Sequence, residues 1–348
     1  MGDVFAGVIG HGPVVAMLGD ELTRPAQAYL LVGPAGVGKA TVGRRFAAAL
    51  LTDDPSGWDR VIAGNHPDLV VIEPEGQASI TVDQARQVVA QANRAPMVAD
   101  RKVFLFEEGG LLNEEAANAL LKTLEEPTPS TVFVIVVDAG AELPPTIASR
   151  CRLVVFGRAA DAEVIDGLVA RGVEPAQAER STRIAGGRPG LALTLATRPE
   201  VAEFRRTWLS IPRRLTAEPG DAYLLADEVE LATRPLLAAV THATAVATDD
   251  PWGKRGVDRA ERQVRRATAA LHVSGLEMLA GFYRDVAAAQ LGATVRNPDV
   301  PPTSLTLLSP ADAVASAERV LETIEALEAN QRPSLAFANL FADLGASR

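Results

Sequence analysis

Between Ala28 and Phe156 the chain alternates unbroken apolar runs with longer stretches in which apolar residues return every three or four positions. The runs are AYLLV at 28–32, LVVI at 69–72, VFLF at 103–106, VFVIVV at 132–137 and LVVF at 153–156. A strand with one wet face would alternate apolar and polar residues. Runs that are apolar on both faces belong to a parallel sheet covered by helices on each side. The pattern therefore predicts one complete α/β domain. One intervening helix is expected at about 82–93, capped by Thr81, with Val82, Ala85, Val88, Val89 and Ala92 on one face. Another is expected after Asn113, with Glu114 and Glu115 at its positive end, a buried stripe of Ala117, Leu120, Leu121 and Leu124, and a stop at Pro127.

Beyond Phe156 the strand pattern fades and alanine-rich helical stretches run to the C-terminus, broken by turn signatures at 186–190, 217–221, 249–253 and 297–302. The last region has a marked helix start, with Ser309 as cap, Pro310 in the first turn and Asp312 near the positive end. Val314, Ala317, Leu321, Ile324 and Leu327 are expected to line one face of that helix. There is no fixed-period repeat, so a solenoid is not expected.

At 348 residues, 47% hydrophobic and 22% charged, the chain can form two or three cored domains. A net charge of -10 lacks the basic footprint of a free-standing DNA binder, so any nucleic-acid role is expected to be shared with partners. Cys151 is the only cysteine, which excludes an intrachain disulfide and fits a reducing, cytoplasmic setting. The N-terminal MGDVFAGVIGHGPVV has no signal-peptide pattern, and no stretch approaches the ~20 apolar residues of a membrane span, so no membrane role is expected.

The segment GPAGVGKA, Gly33 to Ala40, follows the first strand and opens a helical pattern. Glycines at 33, 36 and 38 permit a tight loop whose backbone amides face a phosphate chain, and Lys39 supplies a cation at the helix N-terminus. This strand-loop-helix context predicts a phosphate cradle for ATP or ADP. Its contacts would be Gly33, Gly36, Val37, Gly38, Lys39, Ala40 and Thr41. Ala40 stands where such loops carry the hydroxyl that holds magnesium, and Thr41 projects ~100° further round the helix. Magnesium is thereby weakened. VFLFEE ends a strand with two acids. Glu107 can serve as a metal ligand and Glu108 as a base for the attacking water, or both can be acids at a wet strand end. Arg150, in LPPTIASRC, reads either as a surface arginine or as one able to reach another subunit's γ-phosphate. Arg188, in GGRPGLAL, can face a nucleotide or close a turn. The basic run from Lys254 to Arg266 is expected to form a solvated face, and His66, with no second ligand at metal spacing, a structural role.

Taken together, GPAGVGKA, GNHPDLVVIEPEG, SITVDQAR, VFLFEE, NEEAANALLKTLEEP, TIASRC and GGRPGLAL resemble, in order and spacing over residues 8 to about 195, the clamp-loader AAA+ family, and within it the delta-prime group of bacterial DNA polymerase III. ALEANQRPSLAFANLFADL near 326–344 is similar to the end of that group's collar domains. The resemblance implies an AAA+ P-loop domain at 1–157, a helical lid at 158–205 and an all-α collar at 206–348. It also implies that Ser149, Arg150 and Cys151 form a motif acting in trans, with Arg150 inserted into the ATP site of an adjacent motor subunit. The implied partners are gamma/tau motor and delta subunits, the sliding clamp and, through the complex, primed DNA. Collar helices of the group join subunits in a ring, which gives the Val314–Leu327 face a partner.

Three departures qualify this. The stretch 52–64 has no cysteine where family members often carry a zinc module, so zinc is not expected. Val137 and Asp138 end the strand where active relatives place a Thr or Asn that senses γ-phosphate. Ala40 and Glu107 weaken the metal site. The expectation is a stator that supplies Arg150 and hydrolyses little or nothing itself; the alternative is an active motor of gamma/tau type. Leu111 and Leu112 are expected to be exposed and are candidates for a clamp contact.

Overall fold

The computed structural model describes every residue except 1, 2, 75–78, 139–141, 197–199, 246–253, 298, 299, 330, 347 and 348. Five parallel strands form one sheet: β1 (Ala28–Val32), β2 (Leu69–Ile72), β3 (Lys102–Phe106), β4 (Thr131–Val137) and β5 (Arg152–Val155), in the order β2-β3-β4-β1-β5. Each predicted apolar run is a strand. Alternate residues of β1 point to opposite faces, so Tyr29 and Leu31 enter one core and Ala28 and Leu30 another. The first core also takes Val42 and Phe46 from α2 (Lys39–Leu51), preceded in the chain by α1 (Gly12–Glu21) and followed by α3 (Pro55–Ile62). The second takes Ala85 and Val88 from α4 (Val82–Ala92) and Ala117 and Leu120 from α5 (Glu114–Glu125).

The helix starts follow their sequence signals. Thr81 accepts from the Gln84 N–H while Gln84 returns a bond to the Thr81 N–H, which completes a capping box. Asn113 caps α5 through the Ala116 N–H at 2.7 Å. Leu112, read as exposed, is instead in the core at 6% exposure, and Leu111 packs beside it. The reason is a short parallel bridge: the Ile80 N–H bonds the Leu111 carbonyl and the Asn113 N–H bonds the Ile80 carbonyl, which draws the segment onto the sheet. His66 is structural, its Nδ1 accepting from the Asp68 N–H at 3.1 Å. Asp68, fully buried, accepts the N–H groups of Met97, Val98 and Ala99 at 2.6, 2.7 and 2.9 Å. Burial alone would raise its pKa, but those amide bonds outweigh it and hold the carboxyl below its ordinary value.

The short helix α6 (Pro145–Ala148) lies between β4 and β5 in sequence, and after β5 come α7 (Asp161–Val169), α8 (Pro175–Ala185), α9 (Pro189–Ala196), α10 (Glu200–Arg214), α11 (Pro219–Ala245), α12 (Lys254–Gln290), α13 (Pro310–Glu328) and α14 (Pro333–Ala346). By its contacts the chain divides into two units, residues 1–178 with 186–192, and residues 179–185 with 193–348. The second unit is built round Trp208 of α10. Its ring meets Phe337 and Phe341 of α14 edge-on at 5.4 and 6.4 Å, and Gly275 of α12 lies against the indole. Ser309 caps α13 as expected, accepting from the Asp312 N–H at 3.2 Å. The buried side of α13 is Ala313, Ser316 and Val320, however, while Val314 and Leu321 of the expected stripe are 48% and 50% exposed. In the basic run, Arg262 is buried rather than solvated and Arg265 stands 4.0 Å from Glu261; the side chains of Lys254, Arg255, Arg259 and Arg266 lie outside the described residues. Among the described residues no helix is long and apolar enough to cross a membrane.

Candidate functional site

Parallel strands bring the loops that follow β1, β3 and β4 to one edge of the sheet. The loop after β1 turns sharply at Gly33, where a Cβ would sit 2.2 Å from the Phe156 carbonyl oxygen, so glycine alone fits. Gly36 and Gly38 adopt φ of 78° and 110°, the left-handed region that a side chain resists. Lys39 then opens α2 with its side chain 4% exposed. Its ammonium donates to the carbonyls of Gly33 and Pro34 at 2.5 and 2.8 Å and to Asp138 Oδ1 at 2.8 Å.

The loop is braced from two sides. His11 Nε2 donates to the Val37 carbonyl at 2.8 Å; because a carbonyl can only accept, this nitrogen carries the proton. The ring also meets Phe156 edge-on at 5.1 Å, and the His11 backbone lies at φ 63°, an unusual state for a non-glycine residue. Sequence reasoning missed His11. Its only signal was the GHG turn before α1. On the other side, Arg188 is buried at 4% exposure, and its Cδ lies 3.6 Å from where a Cβ on Gly36 would stand. Arg188 therefore lies against the phosphate-type loop itself.

The acidic half of the site is occupied by a cation of the same chain. Arg44 of α2 grips both oxygens of Glu107 with the side edge of its guanidinium: Nη2 reaches Oε2 at 2.8 Å, and Nε makes a short bond to Oε1. Its Nη1 donates to the Ile62 carbonyl at 2.8 Å, and both side chains are only 17% exposed. Burial pulls the Arg44 pKa down, yet the bonds and charge of Glu107 reverse this and hold it above its ordinary value. Thr41 faces solvent, Ala40 offers no oxygen and Val137 is buried in β4. A magnesium ion needs free oxygen ligands in near-octahedral array, and these residues do not fit one. The glycine loop fits a phosphate chain in shape. Glu108 is half-buried just beyond Glu107. Among the described residues no group of three His, Cys, Asp or Glu side chains is arranged to hold a metal.

Arg150 lies elsewhere. In the sheet register Tyr29 pairs with Arg152 and Val32 with Val155. Arg150 thus precedes β5 at the edge where β1 begins, while Gly33 follows β1 at the edge where it ends. At ~3.3 Å per strand residue the two are separated by at least ~13 Å along the sheet. Arg150 lines a cleft of about 580 Å³ with Ala28, Leu124, Glu125, Ser149 and Arg152. Its neighbour Cys151 is mostly buried, which pushes its thiol up to about 11.

Residues 15–160 match the protein family described as DNA polymerase III, delta subunit. A DNA polymerase III subunit delta' from Pseudomonas aeruginosa is 42% identical over 136 residues, covering 36% of this chain and 42% of that one. One from Bacillus subtilis is 24% identical over 280 residues, covering 78% and 75% of the two chains. A DNA polymerase III subunit tau/gamma from Haemophilus influenzae is 34% identical over 158 residues, covering 42% of this chain and 23% of that one. The chain thus matches less than half the length of the first and third of these relatives. A solved gamma subunit-related protein from Thermotoga maritima aligns over 96% of this chain and 99% of its own with 19% identity and a TM-score of 0.47.

Proposed function

We propose that this chain is a clamp-loader subunit of the delta-prime kind, as its similarity to DNA polymerase III delta' subunits supports, and that it is the stator of the complex, giving Arg150 to the ATP site of a neighbouring motor subunit. The observation that carries this is topological. Arg150 and the glycine loop lie at opposite edges of one parallel sheet, too far apart for Arg150 to serve its own chain's phosphate site, which supports a role toward another chain's. There the guanidinium would meet the γ-phosphoryl oxygens as charge spreads over them in the transition state. Gamma/tau-type motors and a delta subunit would complete the assembly, which acts on the sliding clamp and primed DNA.

The chain's own turnover would be weak or absent. Lys39 is bound internally, Glu107 is gripped by Arg44, and Ala40 supplies no metal ligand. This favours the stator over the gamma/tau motor reading. The loop, Lys39 and Arg188 would still suit ATP or ADP without magnesium. Residues 158–205 would act as lid and 206–348 as collar, with the exposed Val314 and Leu321 of α13 as part of a subunit contact.

In a clamp loader reconstituted with Arg150→Ala, ATP hydrolysis at the neighbouring site should fall by about 10³-fold or more on primed DNA and clamp, while gel filtration shows the complex intact. Undiminished hydrolysis by an intact complex would remove the stator reading. Robust ATPase by the purified chain alone would favour the motor instead.

A further inference from the structure

An arginine at the end of a surface turn ordinarily samples many rotamers, and a residue meant to meet a phosphate must first be ordered. Arg150 is already held. Nε donates to Glu125 Oε1 at 2.9 Å, Nη2 makes a short bond to the same oxygen, and Nη1 donates to the Thr146 carbonyl at 2.6 Å. These bonds use three of the five N–H donors of a guanidinium. A longer contact of 3.4 Å links Nη1 to Ser149 Oγ. Glu125 thus holds the side edge of the fork while Nη1 is taken by Thr146 and, more loosely, Ser149, which leaves one Nη2 N–H, and the weakly held Nη1 N–H beside it, to turn to a second acceptor.

Helix physics gives no reason for a carboxylate at this position. Glu125 is the last residue of α5, where the helix dipole is negative and disfavours an acid. Pro127 stops the helix just beyond, so Glu125 is held at the C-terminal end, facing the turn that carries Arg150. Both side chains line the same open cleft, with exposures of 31% for Arg150 and 47% for Glu125. An exposed pair of this kind adds little to stability. Its effect is orientation.

We propose that Glu125 is the positioning residue of Arg150, holding the side edge of the guanidinium so that its outer edge meets a phosphate carried by the neighbouring subunit. The proposal rests on the trans reading of Arg150. Because a carboxylate fixes the fork without itself reaching the phosphate, its loss should lower the rate of the chemical step rather than nucleotide affinity.

The test is a double-mutant cycle in the reconstituted clamp loader, with Glu125→Ala, Glu125→Gln, Arg150→Ala and the Glu125→Ala/Arg150→Ala pair. Steady-state hydrolysis would be followed on primed DNA and clamp. Glu125→Ala is expected to lower kcat about ten- to a hundredfold with KM for ATP unchanged. Glu125→Gln, whose amide oxygen can still accept from Nε, should recover part of that loss. In the Arg150→Ala background Glu125→Ala should add nothing. An equal effect in both backgrounds would make Glu125 a fold-supporting residue and overturn the proposal. A rise in kcat would overturn it too, by making Glu125 a restraint. No change from Glu125→Ala, alongside a clear loss from Arg150→Ala, would end this proposal and leave the trans reading standing. No loss from Arg150→Ala would end the trans reading itself.

Discussion

An ammonium group carries three protons, and at Lys39 all three have acceptors within the chain: two loop carbonyls and the Asp138 carboxylate. A phosphate entering the loop must compete with Asp138 for that cation. A hydrogen bond to a charged group contributes about 1.5–3 kcal/mol, so relieving the competition should tighten phosphate binding by roughly ten- to a hundredfold. Asp138→Asn is therefore expected to bind ADP more tightly than wild type in calorimetry of the purified chain; equal affinities would mean that Asp138 does not limit the site. The partners of this contact were present in the sequence, since Lys39 and Asp138 each follow an apolar strand run. What the sequence did not state was that β1 and β4 are neighbours, and only that adjacency brings residues 99 positions apart together. The Arg44–Glu107 pair, 63 positions apart, was hidden in the same way.

Among the elements, α12 and α10 meet without room for a methyl group. A Cβ on Gly275 would lie 2.0 Å from Trp208 Cε2, and the indole is fully buried and cannot retreat. Gly275→Ala gains helix propensity of about 1 kcal/mol but overpacks the contact by about 1–3 kcal/mol. The net result should be a lower unfolding midpoint in urea, and an unchanged or raised midpoint would show that the helices can part at little cost. Strands and helix caps were legible because they depend on neighbours in sequence: a continuous apolar run, or a capping Thr, Asn or Ser three residues before its partner amide. The inward face of α13 was not. Ala313, Ser316 and Val320 share the spacing of Val314, Ala317 and Leu321, rotated by one residue, ~100°. Two stripes of equal period leave the choice to the packing of α13 against α12. Leu112 misled for a related reason, since a GG-flanked dipeptide reads as loop until Ile80 is seen bridging to it.

At the scale of the whole chain, acid should act first through groups buried without charge. His272 is 4% exposed against Phe337, and burial lowers its imidazole to about 4 from the ordinary 6.5. In that window the unfolded chain binds a proton that the folded chain refuses, so stability falls as pH drops from 6.5 towards 4. The loss would reach ~3 kcal/mol, at about 1.4 kcal/mol per pKa unit. Denaturant midpoints between these pH values should show the slope for wild type and lose most of it in His272→Leu; equal slopes would assign the acid sensitivity to other groups.

The separation of Arg150 from the glycine loop by the length of β1 also gives the chain a direction. In the stator reading, one edge of the sheet lends a cation outward while the other has its own cation already satisfied. Subunits joined in that sense are linked head to tail, not face to face. A head-to-tail row grows wherever a donor edge meets a responsive cradle, and here the cradle is answered from within by Asp138. In that reading such a chain would lend a cation to its neighbour without a responsive cradle of its own, so the order of hydrolysis along the row would have a defined starting point.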